Sequence, residues 1–375
     1  MADEPLLATM TRPTAAPAET LLVTAEVEAE LTLFLAGART AFTALDPALQ
    51  PLADAVANAV LAGGKRLRPA FAYWGWRARH NQQALNTVLP ALAALELLHA
   101  FALVHDDVMD RSDTRRGQPT AHRALAATHR RERLRGDAEH FGQSAAILAG
   151  DLCLIWADQL MARAAIAPAT LIAARRVYDE MRSEAVAGQY LDILGEHSRT
   201  WNVDRALRTA RLKTAGYTVV RPLHFGAALA GPVPGTLLSA FTQYGTAIGE
   251  AFQLCDDLLG AFGIPEVTGK PVGDDLIQGK PTALLHLARS RATARQLAEI
   301  DHLRRRCATH ETVDSATAAA RLADIVRDTG AADQIESMIA DRIETAQQAL
   351  ALAPLDDATR AALLDLAQSV TRRSA

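Results

Sequence analysis

Apolar side chains recur along this chain at every third or fourth position, in one long stretch after another. That spacing predicts amphipathic helices through most of its length. Residues 26–43 and 52–61 carry it, with Pro47 and Pro51 bracketing the turn between them. Gly63-Gly64 ends the second segment, and Pro69 sits where a new helix begins and its missing N–H is tolerated. Residues 91–104 are apolar almost all round, interrupted only by Glu96 and His99, which predicts a central, buried helix. Further helices are expected at 142–164, 171–194, 203–230, 235–259, 282–287, 293–309, 313–329, 331–352 and 356–370. No alternating pattern predicts a strand, and no fixed period predicts a repeat.

The stretch 222–249 lacks charge and has the length of a membrane span. Gly231-Pro232-Val233-Pro234-Gly235 breaks it, so two buried helices joined by a turn are expected and no transmembrane segment. Residues 1–20, rich in Ala, Thr and Pro, have no apolar run long enough for a signal peptide and read as a disordered leader. No linker divides the rest, which predicts one domain over 21–375.

Composition sharpens this to an all-α class. Of 375 residues 49% are hydrophobic and only 5% aromatic, with Ala and Leu prominent: ample core for a single large helical bundle. A net charge of −4 gives no general attraction to nucleic acid. Cys153, Cys255 and Cys307 are odd in number and unrelated in spacing, as in a cytoplasmic protein with free thiols.

Two acidic clusters carry the candidate chemistry. One reads His105-Asp106-Asp107-Val108-Met109-Asp110 and the other Gln253-Leu254-Cys255-Asp256-Asp257-Leu258-Leu259-Gly260. Carboxylates this dense repel one another unless a cation stands between them. Oxygen ligands without a Cys or His set suit Mg²⁺, which rarely fills its octahedron from protein alone, so a phosphate-bearing substrate is implied. Helical positions i and i+4 differ by about 40°, which puts Asp106 and Asp110 on one face, with His99 two turns earlier nearly in line. Basic runs flank the first cluster: Gly63-Gly64-Lys65-Arg66-Leu67-Arg68-Pro69 before it, and Arg111, Asp113, Arg115 and Arg116 after it. Guanidinium forks and ammonium groups bind phosphate oxygens, although the glycine spacing is not that of a P-loop.

Taken in order, these motifs resemble the trans-type isoprenyl diphosphate synthases of the polyprenyl synthetase family. The resemblance runs through Gly64-Lys65-Arg66-Leu67-Arg68-Pro69, Glu96-Leu97-Leu98-His99, the first cluster and Arg115-Arg116-Gly117. It continues through Gly150-Asp151, Gly188-Gln189-Tyr190, Lys213-Thr214, Gln253 with Asp256-Asp257, Thr268-Gly269-Lys270, and Gly273-Asp274-Asp275 with Gly279-Lys280. It implies the isoprenoid synthase fold, an all-α bundle around a central apolar cavity, as a homodimer. It implies Mg²⁺-dependent head-to-tail condensation of isopentenyl diphosphate with an allylic diphosphate. Asp106 and Asp110 would hold two Mg²⁺ ions with Asp107 alongside, and Asp256 a third, supported by Asp257. Arg115, Lys213 and Lys270 would contact the allylic diphosphate, with Lys280 a further substrate-binding residue. Lys65, Arg68, His99 and Arg116 would hold isopentenyl diphosphate. Thr214 and Gln253 would line the reacting centre.

One position departs from the family pattern. The second cluster commonly ends in a third aspartate, and Gly260 stands there. For product length, the resemblance implies a cavity floor at Phe101, Ala102 and Leu98. One ring followed by one small residue fits geranylgeranyl diphosphate (C20). A farnesyl (C15) or longer product, a terpene cyclase and a non-catalytic subunit of a heteromeric synthase are the competing readings. His105 is expected to pack beside the cluster, residues 129–135 to form a solvated basic loop, and Arg372 and Arg373 to be a frayed end.

Overall fold

The computed structural model describes residues 18–79, 83–198, 202–263, 273–308 and 315–371. Helices make up nearly all of it. They are α1 Ala18–Thr43, α2 Gln50–Leu61, α3 Leu67–Arg77, α4 Leu89–Met109, α5 Ala121–Arg131, α6 Ala138–Met161, α7 Pro168–His197 and α8 Val203–Ala210. A π-helical stretch, Arg211–Val220, leads into α9 Arg221–Leu229 and α10 Gly235–Phe262. Then come α11 Asp274–Gln278, α12 Ala283–Arg291, α13 Ala294–Ala308, α14 Ser315–Asp328, α15 Ala331–Ala351 and α16 Asp357–Thr371. Side-chain caps start several of them: Asp137 accepts from Glu139 N at 2.9 Å, Asn202 from Arg205 N at 2.9 Å and Thr282 from Leu285 N at 3.1 Å.

The structure differs from the sequence reading at four places. Helix α1 takes in Ala18 to Thr20, because Thr20 is buried and its hydroxyl accepts from Trp74 Nε1 at 2.9 Å. Thr114–Arg115 and Gln118–Pro119 form a small antiparallel hairpin. Its two-residue turn, Arg116-Gly117, has φ of 53° and 74°, the left-handed pair that a type I′ turn requires. His129 belongs to α5 and is buried against Phe141, with Nε2 3.1 Å from the Arg135 carbonyl, so the expected solvated loop begins only after that helix. The expected helix over 203–230 is three elements, α8, the π stretch and α9.

Helix α4 is the centre of the bundle, enclosed by α1, α2, α3, α5 and α6. Leu92, Leu95, Leu97 and Leu98 are buried on it, each contributing about 1.5–3 kcal/mol by leaving water. Helices α3 and α9 approach through glycines: a Cβ at Gly75 would overlap the Leu223 carbonyl, and one at Gly226 the Ala72 carbonyl. The stretch 222–249 divides into α9 and α10, as its Gly/Pro break implied. By length and composition alone α4 and α6 could each cross a membrane. Helix α4 is instead a core helix, and α6 packs on α2, α4 and α5 while presenting Phe141, Ile147, Leu148 and Ile155 outward.

The apolar interior is in two parts. The larger spans α1 to α7, the π stretch, α9 and α10 with α15 and α16; the smaller gathers Leu254 and Ala261 of α10 with α8 and α11 to α15. Helix α10 runs through both, and its acidic pair, Asp256-Asp257, falls where they meet.

Candidate active site

The first cluster occupies the last turn of α4, with Asp110 at the C-cap. A helix C-terminus is its negative end, so three carboxylates there need cations from elsewhere in the fold. The hairpin supplies Arg115, whose Nε donates to Asp107 Oδ1 at 2.8 Å and whose Nη2 lies 3.5 Å from Asp106 Oδ2. The π stretch supplies Lys213, with Nζ 3.3 Å from Asp106 Oδ1. Lys280, just after α11, reaches Asp110 Oδ2 at 3.5 Å. Burial pushes the Asp106 carboxyl up, but Lys213, Arg115 and Lys280 together outweigh it and hold the group below the usual carboxylate range. Burial raises Asp107 and Asp110, with the Asp106 charge adding to both.

Two further residues join this cluster. Gln189 Nε2 donates to Asp106 Oδ1 at 2.9 Å, and Asp192 pairs with Lys213 Nζ. Both are on α7, three apart, and so share a face. Gln189 lay within a quoted motif; the acidic residue one turn on was its unread companion.

The second cluster is organised by hydrogen bonds. Thr214 Oγ1 donates to Gln253 Oε1 at 2.7 Å, Gln253 Nε2 to Asp257 Oδ1 at 3.0 Å, and Ala283 N to Asp257 Oδ2 at 3.1 Å. Asp257 is buried, and burial, with the charges of Asp256 and Asp275, pushes its carboxyl up to about 7. Asp257 therefore orients Gln253, while Asp256 lines the cavity. Gly260 has a structural counterpart. A Cβ there would overlap the Asp275 carboxylate, standing 2.9 Å from its Cγ, so Asp275 brings an acid to the space beside position 260.

The cationic half gathers residues of α3, α4 and the hairpin against the π stretch. Arg68 Nη2 donates to Thr218 Oγ1 at 3.0 Å and its guanidinium stacks 4.2 Å from the Tyr217 ring centroid. Arg116 folds back onto the Gly63 carbonyl, and Gly64 leaves room for it, since a Cβ there would be 2.8 Å from Nη2. His99 is fully enclosed; burial, with Arg68, Arg116, Arg115 and Arg66 around it, lowers its pKa well below the ordinary value. His99 Nδ1 and Arg68 Nε have no hydrogen-bond partner among the described residues, donors and charge left over for an anion. Lys65 Nζ donates to the Ser369 carbonyl at 2.9 Å, so the end of α16 closes this side. Arg66 carries no site role: it is buried at φ 47° with Nη1 2.8 Å from Glu96 Oε2.

A cavity of about 320 Å³ brings the acidic clusters together. Asp106, Lys213 and Thr214 line it with Gln253, Asp256, Asp257, Asp275 and Lys280. Lys280 spans it, 3.5 Å from Asp110 and 4.0 Å from Asp275 Oδ1. Leu98, Phe101 and Ala102 are not among its walls: Leu98 is in the main core, and the Phe101 ring lies 4.8 Å from that of His105. His105 packs on α6, with Nε2 2.9 Å from the Ile147 carbonyl. Lys270, Arg372 and Arg373 lie outside the described residues.

The donor set fits Mg²⁺. Its oxygens are carboxylate, and among the described residues no three His, Cys, Asp or Glu side chains converge to hold an ion alone. That suits an ion which takes its remaining ligands from phosphate and water. Burial first, and then neighbouring carboxylates, raise the Asp110 and Asp257 carboxyls, and a cation between the clusters would offset the carboxylate part.

An all-helical bundle with two acidic clusters across one hollow, and a separate cationic pocket beside it, defines an enzyme that handles diphosphates. The sequence pattern of polyprenyl synthetase matches residues 50–320. Geranylfarnesyl diphosphate synthase of Aeropyrum pernix is 33% identical over 320 residues, covering 84% of this chain and 92% of that protein. Geranylgeranyl diphosphate synthase of Methanosarcina mazei is 34% identical over 225 residues, 60% of this chain and 63% of that one. The crystal structure of a Corynebacterium glutamicum geranylgeranyl pyrophosphate synthase, complexed with isoprenyl diphosphate and magnesium, superposes with a TM-score of 0.86. It is 40% identical and covers 93% of this chain and 98% of its own. The chain belongs to the polyprenyl synthetase family, and with it to the prenyltransferases of the trans-polyprenyl diphosphate synthase type.

Proposed function

We propose that this protein joins isopentenyl diphosphate head-to-tail to an allylic diphosphate, with Mg²⁺, and that its main product is geranylgeranyl diphosphate (C20). The observation that carries this is the shared hollow: Asp106 of the first cluster and Asp256 and Asp257 of the second line it with Lys213, Thr214 and Gln253, and Lys280 reaches from Asp110 to Asp275 across it. The C20 product also accords with the geranylgeranyl pyrophosphate synthase that this fold superposes on.

Asp106, Asp110 and Asp256 would hold the magnesium, three ions in all. Bound there, the metal neutralises diphosphate charge so that pyrophosphate can leave. Lys213, Lys280, Arg115 and, from outside the described residues, Lys270 grip the allylic diphosphate and stabilise the charge that develops as its C–O bond breaks. Lys65, Arg68, His99 and Arg116 seat isopentenyl diphosphate, so that its double bond faces the allylic cation. The Thr214 hydroxyl donates a hydrogen bond to Gln253 Oε1, and Gln253 Nε2 donates one to Asp257 Oδ1. The Thr214 oxygen is thereby left with its lone pairs toward the carbocation, oriented but too weakly basic to end the reaction. The released pyrophosphate takes the proton. We place the floor at Phe101, Ala102 and Leu98.

The outward apolar side chains of α6 support a homodimer through that helix. Cys153, Cys255 and Cys307 are thiols that form no disulfide among the described residues, which supports a cytoplasmic setting.

Incubation with Mg²⁺ and farnesyl diphosphate, with and without isopentenyl diphosphate, tests the activity. Pyrophosphate release and a C20 product that both require isopentenyl diphosphate are expected. Hydrocarbon from the allylic substrate alone would make the protein a cyclase, and silence until a second subunit is added would make it a partner. Phe101→Ala should carry products beyond C20; an unchanged product ladder removes Phe101 from the floor.

A further inference from the structure

The π-helical stretch Arg211–Val220 bears on both halves of the site. Lys213 and Thr214 meet Asp106 and Gln253, while Tyr217 and Thr218 meet Arg68. A π turn holds an extra residue and is rarely longer than one turn, so ten residues of it need outside support. The flanking helices make room with glycines. A Cβ at Gly188 of α7 would lie 2.5 Å from Lys213 N, and one at Gly249 of α10 would overlap Ala215.

Room alone does not hold a register; ion pairs at both ends do. At the far end, Arg221 donates from Nε to Glu184 Oε2 at 2.9 Å and from Nη1 to Glu180 Oε2 at 2.7 Å. At the near end, Arg211 Nε pairs with Oε1 of Glu250 on α10. The Glu250 side chain is only 5% exposed, and its second oxygen accepts from Arg342 Nε of α15 at 2.9 Å. A carboxylate this buried needs a cation beside it, because losing every partner would strand charge in the interior, and Glu250 has two, one on each oxygen. Glu250 lies one turn before Gln253, and Arg211 three residues before Thr214. The Arg211–Glu250 pair therefore sets the separation at which Thr214 reaches Gln253 at 2.7 Å.

We propose that Arg211 and Glu250 are positioning residues for the condensation. The ion pair between the exposed Arg211 guanidinium and the buried Glu250 carboxylate locks the start of the π stretch to α10, so that Lys213 and Thr214 face the cavity. Arg342, on the same carboxylate, ties α10 to α15 and serves stability. The catalytic part of this rests on the activity proposed above; the structural part does not.

Two variants of the full chain separate these roles. Arg211→Met removes the link to the π stretch and leaves Glu250 with Arg342. Arg342→Met does the reverse. Hydrogen exchange should show the amides of 211–216 losing about tenfold protection in Arg211→Met and keeping it in Arg342→Met. With farnesyl and isopentenyl diphosphates, Arg211→Met should lose about 10- to 100-fold in kcat with KM within about twofold, the scale of a misplaced catalytic group. Arg342→Met should lower the melting temperature and keep kcat within about threefold. Unchanged exchange in Arg211→Met, or equal kcat losses in both variants, overturns the proposal. If Arg211→Met does not fold, Arg211→Lys keeps the charge but not the guanidinium geometry, and parental exchange over 211–216 together with parental kcat in it overturns the proposal equally. An inactive parent would sink the activity and leave the exchange result to judge the clamp.

Discussion

The two acidic clusters look alike as sequence and differ as electrostatics. The first, at the end of α4, is met by Arg115, Lys213 and Lys280, and its central carboxyl, Asp106, is held low. The second, on α10, is met by an amide, a backbone N–H and further carboxylates, and Asp257 is pushed up to about 7. The contrast assigns different work to the two. A cluster with built-in cations stays charged and ready for a polyanion. A cluster without them lines the cavity with both acids and uses Asp257 to aim Gln253. Lys280 is where the two meet.

The largest effect should come from the first cluster. Asp106→Asn removes the charge that Lys213, Arg115 and Gln189 converge on, and kcat should fall about 10³-fold, whereas Asp257→Asn, which keeps an acceptor for Gln253, should cost about tenfold. Steady-state kinetics of the pair decide this; equal losses would erase the distinction drawn here. Lys280→Met comes next, with about a 10²-fold loss in kcat/KM for the allylic substrate, since both clusters lose their shared cation. A loss confined to isopentenyl diphosphate would move Lys280 to the other half of the site.

Smaller effects sharpen the picture. Gly260→Ala should destabilise the fold by about 1–3 kcal/mol in denaturant titration, because a Cβ meets the Asp275 carboxylate. Adding Asp275→Ala should recover most of that; additive losses would show that the two positions do not compete. His224 supplies a control outside both clusters. Burial lowers its pKa to about 4, and Nε2 lies 3.1 Å from the Leu238 carbonyl. Between the ordinary value near 6.5 and about 4 the unfolded chain holds more protons, so stability falls as pH falls, by about 3 kcal/mol across that window. His224→Gln should flatten that fall and leave activity at pH 7 unchanged. An acid limb of the same slope in the variant removes His224 as its source.

Much of this was readable from residue order. Local rules suffice for an apolar helix ending in aspartates, for a Gly/Pro break dividing 222–249, and for basic runs beside a glycine pair. The hairpin that carries Arg115 was missed because two-residue strands are too short to alternate. The π stretch was missed because one added residue per turn barely alters a hydropathy pattern. Asp192 falls in none of the motifs and Asp275 only within Gly273-Asp274-Asp275, and the fold alone sets them beside Lys213 and Gly260.

Residue order by itself determined the helices, the two acidic clusters and the membership of the polyprenyl synthetase family, since each depends on residue type at fixed spacing along one helix or loop. Tertiary structure alone decided which carboxylates are neutralised, which are crowded, and how a widened helical stretch is clamped between its neighbours. Those properties come from burial and from charges brought close by parts of the chain far apart in order, and no local spacing encodes such distances.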